Sequence, residues 1–330
     1  MKLKFLFFIP FLIMLIGCSP KDYQDNSDTT SQQLPAPKGE FESVTWFDEN
    51  HLAFIYRPDE LSANDMDQDF RIGIFEISTG FTKDVTVSPL TSECHSKRSG
   101  ISNISRLPNG SLGFIFHCGS GEYTLCLLDP DSNRIVKLQT YLGFIAKSFS
   151  FSPDMSQLVQ ENGSGGGLSE KLLLVSSEKT IKELLPEFQR ARSPAWSSDG
   201  KTIAFAGTKE NPINTDTNTW QDIESLFLYP WDIFLMDADE HNPRILLPRV
   251  GTIYGLKWSP TNKNLLLFGG NSFDDVDGIW LLDIADMSIK RIWANNTDFD
   301  WSPDGSKVVL LENETGPWWS TVLIINIMKP

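Results

Sequence analysis

The phrase "WSPDGSKVVL" occupies Trp301–Leu310, and a near copy, "WSSDGKTIAF", occupies Trp196–Phe205. A chain that repeats a phrase at this distance must fold as a repeat, and this constrains it more than any other feature. Ser-Pro-Asp-Gly suits a tight turn. Proline presets φ, aspartate bonds its own backbone, and glycine accepts the exit conformation. The apolar run that follows reads as a strand. Aligning on the turn gives four more copies: "TWFDENHLAFIY" from Thr45, "SRLPNGSLGFIF" from Ser105, "SFSPDMSQLVQ" from Ser150 and "KWSPTNKNLLLF" from Lys257. A second phrase follows each copy, a buried-strand run ending at Glu76, Asp129, Ser176, Asp237, Asp283 and Asn326. These end points are 53, 47, 61, 46 and 43 residues apart.

Each unit therefore holds a short inner strand, a turn, a second strand, a third strand and a weaker outer strand. No segment reads as a long helix. Four antiparallel strands in about 45 residues is a propeller blade, so the expected fold is all-β, a six-bladed β-propeller over residues 41–330. The blades fall at about 41–90, 101–140, 145–188, 192–248, 250–294 and 296–330. The sixth has only four residues after Asn326, too few for an outer strand. Closed propellers avoid free sheet edges, so a segment near 32–36 is expected to supply it. Its prolines suit an outermost strand. The two phrases together resemble the TolB-like family of six-bladed propeller repeats, most closely in "WSPDGSKVVL" and "DIFLMDADEHNPRILL". The resemblance implies the fold. TolB itself also carries an N-terminal α/β domain, whereas here only a tether precedes the first blade, so no TolB partner is carried over.

The N-terminus reads as an export signal. Lys2 and Lys4 precede an apolar run from Phe5 to Ile16, too short for a comfortable membrane span. The run ends in Leu15-Ile16-Gly17-Cys18, which resembles the bacterial lipobox. That resemblance implies a signal peptide over 1–17 and a lipid on Cys18, which becomes the first mature residue. Residues 18–38 are polar and read as a flexible tether. The expected location is extracytoplasmic, on a membrane through the N-terminal lipid.

A formal charge of −15 without a basic patch argues against nucleic acid. Asp65, Asp67 and Asp69 resemble the start of a calcium loop, but Phe70 stands where the loop needs glycine, and the repeat already explains Ile72 and Glu76. They read as a solvated acidic loop. Gly163–Gly167 leads into a strand rather than a helix, so no phosphate cradle is expected. No metal, cofactor or catalytic residue is assigned. Cys94 and Cys118 are candidates for a disulfide, with separate thiols or a zinc pair with His95 and His117 as alternatives. Cys126 aligns inside a third strand and reads as a small core residue.

Two units are longer than the rest. From turn to third-strand end four blades take 21–23 residues, but blade 1 takes 28 and blade 4 takes 39. Both insertions lie between the second and third strands, on one face, in opposite blades. The first is the acidic loop with Asp65, Asp67 and Asp69; the second carries Trp220, Phe227, Tyr229 and Trp231. Long loops on a rigid scaffold commonly carry function. Asp65, Asp67, Asp69, Trp220, Phe227 and Tyr229 are therefore the expected ligand-binding residues. The expected function is a binding or assembly module for an envelope protein or glycan. The alternatives are a hydrolase or lyase using the channel mouth, and an envelope sensor domain.

Overall fold

The computed structural model describes residues 24–25, 31–37, 39–58, 70–85, 87, 99–118, 122–129, 132, 134–142, 144–145, 148–164, 170–178, 180–209, 231–239, 242–272, 276–295, 297–313 and 320–326. Its elements are strands, grouped as six antiparallel blades. Blade 1 is Gly39–Trp46, His51–Pro58, Arg71–Glu76 and Thr82–Val85, from inner to outer strand. Blade 2 is Ser99–Arg106, Leu112–Cys118, Glu122–Asp129 and Arg134–Leu142. Blade 3 is Phe149–Phe151, Gln157–Ser164, Glu170–Ser176 and Ile181–Leu184. Phe144–Ile145 also pairs with its second strand. Blade 4 is Arg190–Trp196, Thr202–Thr208, Asp232–Asp237 and Pro243–Leu247. Blade 5 is Thr252–Trp258, Leu265–Ser272, Val276–Asp283 and Ser288–Trp293. Blade 6 is Phe299–Trp301, Lys307–Asn313 and Ser320–Asn326, and Ser31–Gln33 is its outer strand. The chain is a six-bladed β-propeller.

The core is a set of interfaces between blades, because strands with two buried faces send alternate side chains to two neighbours. In blade 4, Ala204, Ala206, Ile233 and Leu235 pack toward blade 5 with Trp258 and Phe268. The intervening Ile203, Phe205, Phe234 and Met236 pack toward blade 3 with Val159 and Leu172. The ring closes through Leu34, Trp46 and Phe54 against Val309, Val322 and Ile324. Leu34 N also donates to Val322 O at 3.0 Å.

The repeated turn works as its residue types dictate. In blade 6, Ser302 Oγ donates to Asp304 Oδ1 at 2.5 Å and accepts from Lys307 N at 2.9 Å. Asp304 Oδ1 also accepts from Ser306 N. Ser152 with Asp154 and Ser197 with Asp199 make the same bonds in blades 3 and 4. These donors hold the three aspartates below the usual carboxylate range, Asp154 to about 2. Gly200 and Gly305 take φ of +70° and +71°, the left-handed conformation at the turn's exit. Met155 holds the same position in blade 3 at φ +62°, at a cost of about 1 kcal/mol relative to glycine.

The tryptophan that opens the phrase fastens blade to blade. Trp258 Nε1 donates to Ala195 O at 2.8 Å, and Trp301 Nε1 donates to Lys257 O at 3.1 Å. In each case the acceptor is the residue just before the tryptophan of the preceding blade.

Candidate binding channel

Inner strands pose a problem that outer strands do not. Their free backbone edge faces the axis, and buried N–H groups there need acceptors. The chain meets this need with side chains of the preceding blade. Val44 N donates to Asp298 Oδ2 at 2.7 Å, Ile104 N to Ser43 Oγ at 3.2 Å and Arg106 N to Thr45 Oγ1 at 3.0 Å. Trp196 N donates to Ser150 Oγ at 3.0 Å. The hydroxyls are themselves tied down: Ser43 Oγ donates to Asp298 Oδ2 at 2.8 Å, and Thr45 Oγ1 donates to Asp300 Oδ2.

Ser43, Ser150, Asp298 and Asp300 line a cavity of about 510 Å³ on the axis, walled by all six blades, with Thr45 buried behind them. The residues at the position before each blade's turn phrase are Thr45, Ser105, Ser150, Ala195, Lys257 and Asp300, polar at all but Ala195. Lys257 crosses the channel. Its Nζ donates to Ser105 Oγ at 3.1 Å, on the opposite blade, and stands 3.6 Å from Asp300 Oδ1 on the adjacent one. Toward the turns the wall becomes apolar, with Leu107, Pro108, Pro153, Pro260 and Pro303.

Bulges widen the wall. The inner strands of blades 1, 2, 4 and 5 slip register at Phe41/Ser43, Ser102/Ser105, Arg192/Ala195 and Ile253/Gly255. Such slips re-aim side chains. The extra residues include Glu42, Asn103, Ser193 and Tyr254, of which Asn103 and Ser193 sit at φ +52°. Glu42 and Tyr254 are exposed. Although the Glu42 side chain reaches solvent, partial desolvation of its carboxyl, then Asp298 and Glu40, push it up to about 7. Burial also raises Asp298, with Asp300 adding to it, against the opposing Val44 N–H, Lys257 and Ser43. The site can accept a polar ligand through hydroxyls, an amide, carboxylates and one ammonium.

A second charged group lies at the root of the blade 4 insertion. Arg190 Nη2 donates to Glu170 Oε2 at 3.0 Å, with both side chains buried. Arg192 Nη1 stands 3.9 Å from Glu170 Oε1. Both guanidinium groups lie over the Trp231 ring, at 4.6 and 4.1 Å. Burial lowers the Arg192 pKa, against the pull of Glu170 and Glu161.

The residues expected from sequence are unevenly placed. Cys18, Asp65, Asp67, Asp69, Cys94, Trp220, Phe227 and Tyr229 lie outside the described residues. Trp231, grouped with the loop aromatics on sequence, is 1% exposed and belongs to the core between blades 4 and 5. Cys118 is disulfide-bonded, to a partner outside the described residues, while Cys126 is a buried thiol inside its strand, outside any disulfide. The channel residues Lys257, Asp298, Asp300 and Tyr254, and Glu42 within electrostatic reach of Asp298, are absent from the sequence-based expectation. The first and third have a visible signal, as the position before each turn phrase is polar in five of six copies.

No family model matches the chain, and no curated protein matches it in sequence. Solved structures do resemble it. TolB from Acinetobacter baumannii superposes with a TM-score of 0.62 at 13% identity, over 86% of this chain and 65% of that one. The chain thus spans just under two thirds of that TolB. A gluconolactonase from Xanthomonas campestris gives 0.56 at 10% identity, over 91% and 90% of the two chains. An oligogalacturonate lyase in complex with manganese gives 0.54 at 10% identity, over 93% and 96%. At these identities the likeness is one of fold: the chain is a β-propeller that resembles TolB and propeller enzymes.

Proposed function

We propose that the protein is a lipid-anchored, extracytoplasmic binding module that takes a polyhydroxylated ligand, such as the end of an envelope glycan, in its axial channel. The observation that carries this reading is the preorganised polar wall. Ser43, Asp298 and Asp300 are fixed by bonds to the next blade's backbone, to one another or to the buried Thr45 hydroxyl. Groups held this way bind with little ordering cost. Exposed Tyr254 adds an aromatic platform at the bulge level. The same commitments weaken the reading as a hydrolase or lyase. The anchor rests on Lys2, Lys4, the apolar run and Leu15-Ile16-Gly17-Cys18.

An envelope protein is the second reading. It is favoured by the acidic insertion with Asp65, Asp67 and Asp69 and the aromatic one with Trp220, Phe227 and Tyr229. A pairing of Cys94 with Cys118 would stiffen that same face.

Calorimetry with a panel of soluble envelope oligosaccharides tests the reading. At least one should bind the wild type and bind Tyr254→Ala ten-fold or more weakly, at unchanged melting temperature. Lack of binding across the panel, with an envelope protein captured through Trp220 and Tyr229, would sink the glycan reading in favour of the second. Cleaved sugar in the mixture would favour an enzyme. Cys18→Ala should release the chain from membranes or leave an uncleaved precursor.

A further inference from the structure

The tether does not leave the propeller freely. Gln24 and Asp25 add a fifth strand to blade 5, parallel to its outer strand, with Gln24 opposite Lys290 and Asp25 opposite Arg291. The outer strand of blade 5 starts at Ser288, after the hairpin that follows Asp283. That hairpin lies on the face of the repeated turns, since Ile284 N donates to Asn264 O at 2.8 Å beside the blade 5 turn. Parallel pairing therefore places Gln24 nearer the turn face than Asp25.

Only five residues, Ser19 to Tyr23, lie between Cys18 and Gln24, so six Cα steps join them. Fully extended, they reach about 20 Å. With strands about 4.8 Å apart, two opposed four-stranded blades put the rim of blade 2 about 30 Å or more beyond that of blade 5. From these distances, and resting on the lipidation of Cys18, we infer that the rim of blade 5, at its turn-face end, is the surface that meets the lipid bilayer. Met287 stands exposed in that hairpin and supplies an apolar contact. Charge does not choose the orientation, because Lys290 and Arg291 are offset nearby by Asp283 and Asp286; the short docked tether does. The consequence is functional. The face that roots the two long insertions points away from the membrane, and the channel axis does not stand on the bilayer with that face down.

The test uses the full chain purified from membranes and placed in vesicles carrying nitroxide-labelled lipids. A fluorophore is attached at Met287→Cys on blade 5, or at Val136→Cys on the rim of blade 2. The expected result is quenching at 287 at least five-fold stronger than at 136. Twenty Gly/Ser residues inserted after Ser19, or Gln24→Pro with Asp25→Pro to break the parallel pairing, should bring the two signals together. Equal signals in the unaltered chain, or stronger quenching at 136, with the protein in the vesicle fraction, overturn the orientation. Protein that stays out of the vesicle fraction overturns the anchor itself, and the orientation falls with it.

Discussion

Lys257 Nζ and Ser105 Oγ, on opposite blades, meet at 3.1 Å across the channel axis. No turn or strand rule demands this contact. It links two blades that share no interface, and it sets the ammonium beside Asp300, whose other oxygen accepts from Thr45.

Removing that ammonium should therefore be felt as a lost charge partner more than as lost packing. Lys257→Met keeps the stem and leaves Asp300 largely buried with one hydroxyl donor. We expect a loss of about 1–2 kcal/mol by chemical denaturation, below the range for fully buried pairs because the lysine is one-third exposed. Adding Asp300→Asn should recover part of it. A double-mutant cycle with no coupling beyond error would refute the pairing.

The pH dependence of stability should have two opposed limbs. Glu42 is raised to about 7 and Asp298 is raised too, so the native chain holds protons that the unfolded chain releases. Stability contributed by their protonated forms is present below the ordinary carboxylate range and is lost as pH rises toward 7. The turn aspartates, Asp154 at about 2 among them, act the other way, and their contribution disappears as pH falls below about 4. Stability should peak near pH 4–5. Glu42→Gln should flatten the upper limb and add on the order of 1 kcal/mol at pH 8. Each tenfold change in proton affinity corresponds to about 1.4 kcal/mol, and solvent at the exposed Glu42 side chain screens the effect here. An unchanged slope between pH 5 and 7 in that variant would count against the assignment.

The fold was legible because it is local and repeated. Turn residues, apolar runs and the tryptophan all act within ten residues, and six copies average out the noise. The position before each turn phrase was legible in the same way, which exposes Lys257 and Asp300. Glu42 and Tyr254 were not, because they are delivered by register slips that no local pattern announces. Trp231 misled for a related reason. Its position at the end of a long insertion looks like a loop, yet Arg190 and Arg192 reach it from another strand. Residues 24–25 read as tether, since a two-residue strand has no sequence signature.

Trp231 should behave as core and not as ligand surface. Trp231→Ala removes a fully buried ring and uncovers two guanidinium groups, with an expected loss of about 3–5 kcal/mol. Glu170→Gln, which strips the carboxylate shared by Arg190 and Arg192, should cost about 3 kcal/mol. Denaturant midpoints read both. A Trp231→Ala protein with wild-type stability and impaired capture would return this residue to the binding face.

The last prediction concerns the seam of the ring. Blade 6 owes its outer strand to Ser31–Gln33, paired opposite Ile325, Ile324 and Leu323, and Leu34 follows as a buried residue against Val309 and Ile324. Deletion through Ala36 removes the pairing, the bond from Leu34 N to Val322 O and the buried side chain together. Leu34→Ala removes only the side chain and should cost about 2–4 kcal/mol. The deletion should cost more, and it should leave an exposed strand edge that promotes self-association. Deletion through Thr30 keeps this strand and loses only the two-residue pairing on blade 5, so its melting temperature should stay within a few degrees of the full chain. Melting curves and light scattering on the three variants separate the terms. Equal melting temperatures for the two deletions would mean that the ring closes through the hydrophobic seam alone, without the N-terminal strand.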